Sequence, residues 1–293
     1  MHFFYISYRD ASNTYKKTIY LLLSLAGGMA GGFLKPNLYL VILAIIVVEF
    51  FRILTDFRNL WKFLILTICA LICMSIGAEH YTEKIISEIG LEFNPEIEAS
   101  WHHYFLMGLN EETTGGYCSD DVAIFGQYQE SKEERTEAEI QLAIERIKDR
   151  GFTGTLYFWL KKMVMTFNDG TFGWRAESYA DSYYSPDLAS DTSFTDLLRN
   201  IYWEGPYVGA YNTICQLVWI FVLLCITGIC FCRGTKLEKF FILSVCFLGL
   251  FLYQLLFEAR ARYLFVFLPL LISMSSCGIE NYCDLLIAKK KRL

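Results

Sequence analysis

The chain has 293 residues, of which 54% are hydrophobic and 17% aromatic, and its mean hydropathy is +0.33. Because the apolar residues form long blocks instead of recurring at the spacing of an amphipathic helix, this composition is typical of an integral membrane protein and not of a soluble domain. The net charge at pH 7 is −5, and nothing in the charge pattern favours a nucleic-acid partner.

Six blocks of apolar residues predict six membrane-spanning helices in an all-α polytopic membrane protein. A hydrocarbon core of roughly 30 Å requires about 20 mostly apolar helical residues, and about 17 suffice within a bundle. The second block is the weakest, because Glu49 interrupts it and Arg52 ends it. The predicted spans are residues 18–34, 38–51, 63–78, 211–232, 240–257 and 263–287.

Basic residues predict the orientation of these spans. With six spans, 13 lysines and arginines near the chain ends and in the short loops fall on the same side of the membrane. Because basic loops stay in the cytoplasm, we expect both termini of this plasma-membrane protein to be cytoplasmic. The residues concerned are Arg9, Lys16, Lys17, Arg52, Arg58, Lys62, Arg233, Lys236, Lys239 and residues 289–292.

The spans divide the chain into three predicted parts: an N-terminal three-span part (1–78), a mainly helical extracytoplasmic domain (79–210), and a C-terminal three-span part with a basic tail (211–293). The outer segment holds 24 of the 31 acidic residues but 10 of the 26 basic residues, so its net charge is −14 and the rest carries +9. A basic inner surface favours contact with anionic membrane lipids.

Cysteine placement argues against disulfides and zinc. Nine of the ten cysteines lie in or at the ends of predicted spans, and only Cys118 lies in the outer segment. No disulfide can therefore form within that segment, and no pair of CxxC motifs predicts a zinc site. We interpret the membrane cysteines as small packing residues.

Two helices are predicted in the outer segment. The first begins at the capping box SKEE (131–134) and ends at Gly151, and its charged residues are interpreted as a solvated face. The second covers about residues 155–167, where apolar residues flank Lys161 and Lys162. Two interpretations of the second helix stay open: a helix in the membrane interface, or a domain helix packed on its neighbours.

The most informative short stretch is FEARARY, residues 257–263, at the predicted outer end of span five. Two arginines on the outer side depart from the charge rule, so we expect partners for them. Glu258 can neutralise one, and an anionic ligand such as a lipid phosphate can bind the other through the planar arginine fork. The alternative is a structural ion pair at a hairpin turn.

A second candidate cluster begins at WHHYFLMGLN (101–110) and extends to an acidic pair. Neighbouring side chains on a helix face different ways and no ligand spacing is recognisable, so no metal site is assigned. Polar binding of substrate is the favoured interpretation, and a divalent metal is the alternative. The residues of the cluster are His102, His103, Asn110, Tyr117, Asp120 and Asp121.

The stretch NDGT at residues 168–171 is a turn by composition. Asp169 is interpreted as a turn residue, with a catalytic base or a metal ligand as the alternative. The chain contains no phosphate-binding glycine-rich loop, Walker motif, GxSxG elbow or HExxH motif. Nucleotide-driven and soluble-hydrolase chemistries are therefore not supported.

Several stretches in a fixed order resemble the C-terminal half of bacterial GT-C glycosyltransferases, in the family 39-related branch of protein O-mannosyltransferases and aminoarabinose transferases. Such enzymes carry a catalytic carboxylate in their first outer loop, and we expect no residue here to take that role. The stretches are GGFLKPN, HHYFLMGLN followed by GGYCSDDV, KEERTEAEIQLAIERIKDRGF, KKMVMTFNDGTFGW and FEARARYLFVFLPLLI.

The resemblance implies transfer of a hexose from a polyprenyl-phosphate donor to an extracytoplasmic acceptor in cell-envelope glycan synthesis. A second chain that supplies the N-terminal half is an expected partner. Positive groups or a metal stabilise the departing lipid phosphate in such chemistry. The residues implied for the donor phosphate are Arg260, Arg262, Glu258 and Tyr263. Those implied for the sugar or acceptor pocket are the 102–121 cluster and Asp169.

The alternative function is a non-catalytic membrane scaffold or a transport component. A transporter is expected to show inverted repeats and charged, broken helices near mid-membrane. Glu49 and Gln254 are interpreted as the polar candidates for such a site inside the predicted spans, and no internal repeat is present. The residues therefore favour a glycosyltransferase, or a fragment or split form of one, over a transporter.

Overall fold

Helices make up the regular structure of the chain. The computed structural model describes residues 5, 8–11, 13–90, 98–128, 131–173, 193–202, 205–231 and 235–290, and these ranges contain no strand. Short 3-10 turns, Pro36–Leu38 and Thr227–Phe231, follow α1 and α8. The helices are α1 (Thr14–Leu34), α2 (Tyr39–Thr55), α3 (Phe57–Glu88), α4 (Trp101–Gly108), α5 (Ser119–Gln127), α6 (Lys132–Phe167), α7 (Ser193–Tyr202), α8 (Val208–Ile226), α9 (Thr235–Leu256), α10 (Arg262–Phe265) and α11 (Leu268–Lys290).

Four stretches of the described chain are long and apolar enough to cross a membrane: Thr14–Leu34, Pro36–Leu54, Trp61–Glu88 and Val208–Phe231. They agree with the first four predicted spans of an all-helical membrane protein. Phe240–Leu256 is apolar but shorter, and α11 carries Glu280 and Asp284. Spans five and six, and the side on which each terminus lies, therefore stay predictions. Arg233 and residues 291–292 of the orientation argument lie outside the described residues.

Helix α3 is longer than a bilayer is thick. Its 32 residues extend about 48 Å at about 1.5 Å per residue, whereas a hydrocarbon core measures roughly 30 Å. The helix continues to Glu88 through a charged stretch, in which Lys84 Nζ lies 3.8 Å from Glu88 Oε1. The predicted boundary at residue 78 therefore marks the end of the apolar block and not the end of the helix.

Glu49, which interrupts the second predicted span, is buried. Its carboxylate accepts hydrogen bonds from Tyr5 Oη (2.6 Å), Tyr8 Oη (2.9 Å) and Arg52 Nη1 (2.6 Å). A buried carboxylate is tolerated in an apolar helix when donors satisfy it in this way. The charge therefore joins the N-terminal residues to α2 without ending the helix.

Contacts divide the chain into two compact units. The first comprises Met1–Pro95 with Arg233–Leu250, and the second comprises Glu96–Cys232 with Phe251–Leu293. In the first unit, α1, α2 and α3 pack against one another. The second unit contains α8 and α11 together with α4, α5 and α6, so this division differs from the three predicted parts.

In the second unit, α8 with its 3-10 extension and α11 approach closely because both carry glycine. A Cβ on Gly278 would overlap the carbonyl of Cys225, and a Cβ on Gly228 would lie 2.3 Å from Gly278 O. Asn281 Nδ2 donates to Gly228 O at 3.2 Å. Contacts through small residues are a usual means by which helices associate in lipid.

Helix α6 consists of two segments joined at Gly151. Ser131 Oγ accepts a hydrogen bond from Glu134 N at 3.3 Å, which confirms the predicted N-terminal cap. At Gly151 the backbone has φ +63° and ψ −177°, a conformation that glycine adopts at little steric cost. The two predicted helices, 131–150 and 155–167, are therefore confirmed as the two segments.

Candidate ligand site at the end of α9

Two stretches that the sequence analysis singled out, residues 101–121 and 257–263, lie against each other in the second unit. Glu258 N donates to Tyr104 O at 2.9 Å, and Ala259 N donates to Gly115 O at 2.8 Å. These main-chain bonds hold the segment after α9 against α4 and the loop that follows it. We call the resulting site the α9 corner, formed by Gln254, Glu258, Arg260, Arg262 and Tyr263.

Three glycines permit this approach. A Cβ on Gly108 would lie 2.4 Å from the carbonyl carbon of Phe257, and one on Gly116 would lie 2.7 Å from Cζ of Arg260. Gly115 has φ +79°, in the left-handed region that favours glycine. The loop therefore places the Arg260 guanidinium directly against backbone that carries no side chain.

Lys162, on the second segment of α6, is fully buried. Its Nζ donates to Gly108 O (2.6 Å), Phe257 O (2.6 Å) and Leu255 O (3.1 Å). These carbonyls lie at the C-terminal ends of α4 and α9, where helix carbonyls lack a partner within the helix and attract positive charge. One ammonium group therefore joins α6 to the ends of two other helices.

The protonation state of Lys162 affects this junction. The three carbonyls favour the ammonium form, because a neutral amine has only two N–H groups to donate. All three hydrogen bonds can therefore form only when Lys162 carries its proton.

Two arginines of α6 cap further carbonyls at the end of α4. Arg146 Nη1 donates to Leu106 O at 2.9 Å, and Arg150 Nη2 donates to Leu109 O at 2.7 Å. Cations at a helix C-terminus are favoured by the helix dipole. Three basic residues of one helix therefore fix the end of α4, from which the loop toward the α9 corner begins.

Asn110 and Asp121, predicted to face substrate, are buried and bonded within the protein. Asp121 pairs with Arg146 and accepts a hydrogen bond from Asn110 Nδ2 at 3.1 Å. These contacts hold the loop in place and occupy the polar atoms that a substrate would need. Tyr117 and Asp120 are exposed, and their assignment to a sugar or acceptor pocket stays a prediction.

The adjacent histidines share one carboxylate. His102 Nδ1 lies 2.7 Å from Glu139 Oε2 and His103 Nδ1 lies 2.8 Å from Glu139 Oε1, with all three side chains buried. Neighbouring helical side chains diverge, but the two oxygens of a carboxylate can reach both rings. No three His, Cys, Asp or Glu side chains within the described ranges are placed to hold a metal ion.

The charged face of the first α6 segment is partly buried, so the prediction of a solvated face is wrong along this stripe. Arg135 and Glu139 are buried, and Arg135 Nη2 donates to Glu98 O at 3.1 Å. Burial raises the pKa of Glu139, but hydrogen bonds from His103 and His102 outweigh this effect and hold that pKa below its usual value. Hydrogen bonds to residues of other segments replace the contacts with water that Arg135 and Glu139 lose on burial.

Asp169 is a turn residue in the structure. Its Oδ1 accepts hydrogen bonds from Thr171 N (2.8 Å) and Thr171 Oγ1 (2.6 Å), and its Oδ2 accepts one from Gly173 N (2.7 Å). Both oxygens serve the turn, as the turn interpretation expects. The turn rests on α8, where Gln216 Oε1 accepts a hydrogen bond from Gly170 N at 2.9 Å.

The α9 corner contains buried polar atoms whose hydrogen-bonding capacity is unmet. Glu258 Oε2 accepts a hydrogen bond from Tyr263 Oη at 2.8 Å, whereas Oε1 has no hydrogen bond within the described chain. Both polar side-chain atoms of Gln254, one turn earlier, are likewise buried without a partner. An unsatisfied buried group costs about 1–3 kcal/mol, so this corner favours a ligand with hydrogen-bonding groups.

The two arginines of the corner differ. Arg262 is 49% exposed and pairs with Glu258 at 3.9 Å, so the structural ion-pair interpretation fits it. The half-buried guanidinium of Arg260 makes no hydrogen bond or ion pair with any residue that the structure describes. A partly desolvated cation without a counter-ion favours an anion.

Sequence reasoning missed the α6 residues that build this site. A signal was present, because five residues recur every three or four positions and include a small apolar one, as on a helix face that meets a neighbour. The face consists of Arg135, Glu139, Ala143, Arg146 and Arg150. No such signal marked Lys162, because Lys161 is adjacent to it and the sequence does not show which of the two lysines is buried.

Comparison with known proteins identifies a family without naming an activity. A family model described as "Conserved hypothetical integral membrane protein" matches residues 1–282. No curated protein and no solved structure matches the chain. The match covers most of the chain and agrees with its long apolar helices. The chain therefore belongs to this family of conserved hypothetical integral membrane proteins.

Proposed function

We propose that the chain is a membrane glycosyltransferase, or the C-terminal part of one. It takes a sugar from a polyprenyl-phosphate donor and transfers it to an extracytoplasmic acceptor in cell-envelope glycan synthesis. The observation that carries this proposal is the half-buried guanidinium of Arg260, which has no partner in the described chain. Arginine offers a planar fork that suits phosphate, and the resemblance of the ordered sequence stretches supports the same donor class.

The residues of the α9 corner take distinct roles in this proposal. Arg260 binds the lipid phosphate, and Arg262 is held by Glu258 and Tyr263 so that it shapes the corner. Negative charge grows on the phosphate as the sugar departs, and a cation already in place stabilises that charge without reorganisation. The unmet polar atoms of Glu258 and Gln254 suit the hydroxyl groups of the sugar.

The carboxylate that activates the acceptor hydroxyl is not assigned to a residue of this chain. The carboxylates of Glu139, Asp121 and Asp169 are taken up by hydrogen bonds within the protein. A second chain that supplies further spans and this carboxylate is the proposed partner. General-base activation of the acceptor is the step it would contribute.

Sugar transfer in membranes tests the proposal. Membranes that contain the full chain receive radiolabelled polyprenyl-phosphate sugars, and labelled product is compared between wild type, Arg260→Ala and Arg262→Ala. We expect Arg260→Ala to reduce transfer by roughly 100-fold, as the loss of one transition-state donor does. Arg262→Ala should reduce transfer less, because that guanidinium already pairs with Glu258.

The outcomes separate three accounts. Equal transfer by wild type and Arg260→Ala contradicts the role of this arginine. Absence of transfer with retained binding of polyprenyl phosphate indicates a donor-binding part that requires a second chain. Absence of both transfer and binding favours the alternative, a non-catalytic membrane scaffold or transport component.

A further inference from the structure

The second segment of α6 has an exposed apolar face. On its other face Phe158, Lys162 and Met163 are buried. The exposed large apolar side chains recur at helical spacing, with exposed fractions from 42% to 81%. They are Phe152, Leu156, Tyr157, Leu160, Val164 and Met165. A contiguous apolar face of this kind marks an interaction surface, unlike single exposed residues.

The C-terminal end of this segment is anchored part-way along α8. Trp219 Nε1 donates to Phe167 O at 2.7 Å, and the Phe172 ring packs edge-on against Trp219 with centroids 5.0 Å apart. The Asp169 turn adds the hydrogen bond from Gly170 N to Gln216. The end of α6 therefore lies against a helix that is long and apolar enough to cross the membrane.

The position of Trp219 sets the depth of that end. The apolar stretch Val208–Phe231 has 24 residues, and Trp219 lies about 17 Å from its start at about 1.5 Å per residue. A hydrocarbon core is roughly 30 Å thick, so Phe167 lies near the middle of the membrane. Leu160 and Val164 precede Phe167 by at most about 11 Å and therefore lie within the hydrocarbon layer.

We propose that residues 152–167 form a helix seated in the membrane, with its apolar face in contact with lipid acyl chains. The helix ends near the middle of the bilayer and therefore enters the membrane without crossing it. Lys161 is exposed beside the apolar face, and its long side chain can extend toward the head groups. This part of segment 79–210 thus belongs to the membrane and not to an aqueous domain.

Lipid is the occupant because the neighbouring surface of α8 is also apolar and exposed. Leu217, Val218, Ile220 and Phe221 flank Trp219 in the sequence of α8, and each is more than 40% exposed. At the level of the Trp219 contact, α8 therefore also exposes apolar side chains. The proposal does not depend on the proposed enzymatic function, but it places the buried face with Lys162 and the α9 corner beside the membrane.

Photo-crosslinking in vesicles tests this helix. A benzophenone amino acid is placed at position 157, 160 or 164 of the full chain, and at the exposed Gln141 of the first α6 segment as a control. The proteins are reconstituted in phosphatidylethanolamine and phosphatidylglycerol, irradiated, and analysed by mass spectrometry. Position 157 is included because the benzophenone side chain there replaces the aromatic side chain of Tyr157, which is the substitution least expected to disturb folding.

We expect lipid adducts at positions 157, 160 and 164 to exceed those at 141 by about tenfold or more, because side chains at the proposed depth are in contact with acyl chains. Lipid adducts equal to those at 141 overturn the proposal. Adducts mainly to a polypeptide also overturn it, since they identify a protein as the occupant of this face.

Discussion

Lys161 and Lys162 are adjacent in the sequence but differ in burial. Lys161 is exposed, whereas Lys162 is fully buried and donates to three main-chain carbonyls. Lysine is seldom buried without such partners. The sequence could not distinguish the two, because the difference depends on which face of α6 meets the ends of α4 and α9.

Replacement of Lys162 by methionine should therefore lower stability far more than the same change at Lys161. Methionine leaves the three carbonyls without a donor, and each unsatisfied buried group costs about 1–3 kcal/mol. Lys161→Met is the matched control, since a change at an exposed position has little effect. Thermal unfolding in detergent measures both variants, and equal midpoints would show that Lys162 does not join the helices.

Glu139 should make stability depend on pH in acid. In the folded chain the pKa of Glu139 lies below its usual 4.5, so on acidification the unfolded chain binds this proton first. The stabilisation is therefore complete above about pH 4.5 and is lost as the pH falls through the folded pKa.

Unfolding measured across the acid range in detergent checks the contribution of Glu139. Glu139→Gln should flatten this part of the pH profile and lower the midpoint at pH 7, because the amide has one acceptor oxygen whereas the carboxylate offers a separate oxygen to each histidine. The control is Glu137→Gln, which changes an exposed carboxylate on the same helix. A profile that is the same in both variants would contradict the assignment.

The charge pattern of the sequence marked Arg260 and Arg262 as unusual but did not reveal what surrounds each of them. Positive charge at the outer end of a span needs a partner, and this predicted that Arg260 and Arg262 were unusual. The sequence predicted that Glu258 neutralises one of the two arginines, and the structure places it 3.9 Å from Arg262. That Arg260 lies against Gly116 depends on a contact between distant parts of the chain, which a single sequence does not reveal.

At the scale of helices, ends that follow from local chemistry were predicted correctly. Ser131 caps α6, and Gly151 separates its two segments. The end of α3 was not predicted, because hydropathy shows only where an apolar block stops. Main-chain hydrogen bonding continues beyond that point as long as the residues favour a helix. The charged stretch to Glu88 remains helical beyond the end of the apolar block.

The close approach of α4 and α9 should depend on Gly108. Gly108→Ala would place a Cβ 2.4 Å from the carbonyl carbon of Phe257, and backbone cannot move aside as a side chain can. We expect a loss of about 1–3 kcal/mol from such overpacking. Gly126→Ala is the matched control, because that position in α5 has open space and alanine favours helix. Thermal midpoints in detergent that fall equally for both variants would contradict this account of the contact.

For the whole molecule, composition predicted a helical membrane protein and the first four spans. The apolar stretch of span five, Phe240–Leu256, is short, and α11 includes Asn281 and two acidic residues, so length and hydropathy do not settle whether either helix crosses the membrane. For a related reason, the sequence left two interpretations open for the segment of α6 that we propose lies in the membrane. Its apolar stripe suits a helix on lipid and a helix on protein equally well.

The six-span prediction places residue 128 and the C-terminus on opposite sides of the membrane. Reporter domains that are active on one side only, inserted after Tyr128 or fused after Leu293, measure this in intact cells. We expect the C-terminal reporter to be active in the cytoplasm and the other outside. Activity of both on the same side would contradict six spans with cytoplasmic termini.

The most direct test of the central claim is binding of polyprenyl phosphate at Arg260. The purified full chain in lipid nanodiscs is titrated with polyprenyl phosphate, and bound lipid is counted by native mass spectrometry for wild type, Arg260→Ala and Arg262→Ala. We predict that Arg260→Ala weakens binding by about tenfold or more, because a hydrogen bond to a charged group contributes about 1.5–3 kcal/mol, and that Arg262→Ala weakens it less. Equal binding by wild type and Arg260→Ala would contradict the claim that the α9 corner is a lipid-phosphate site.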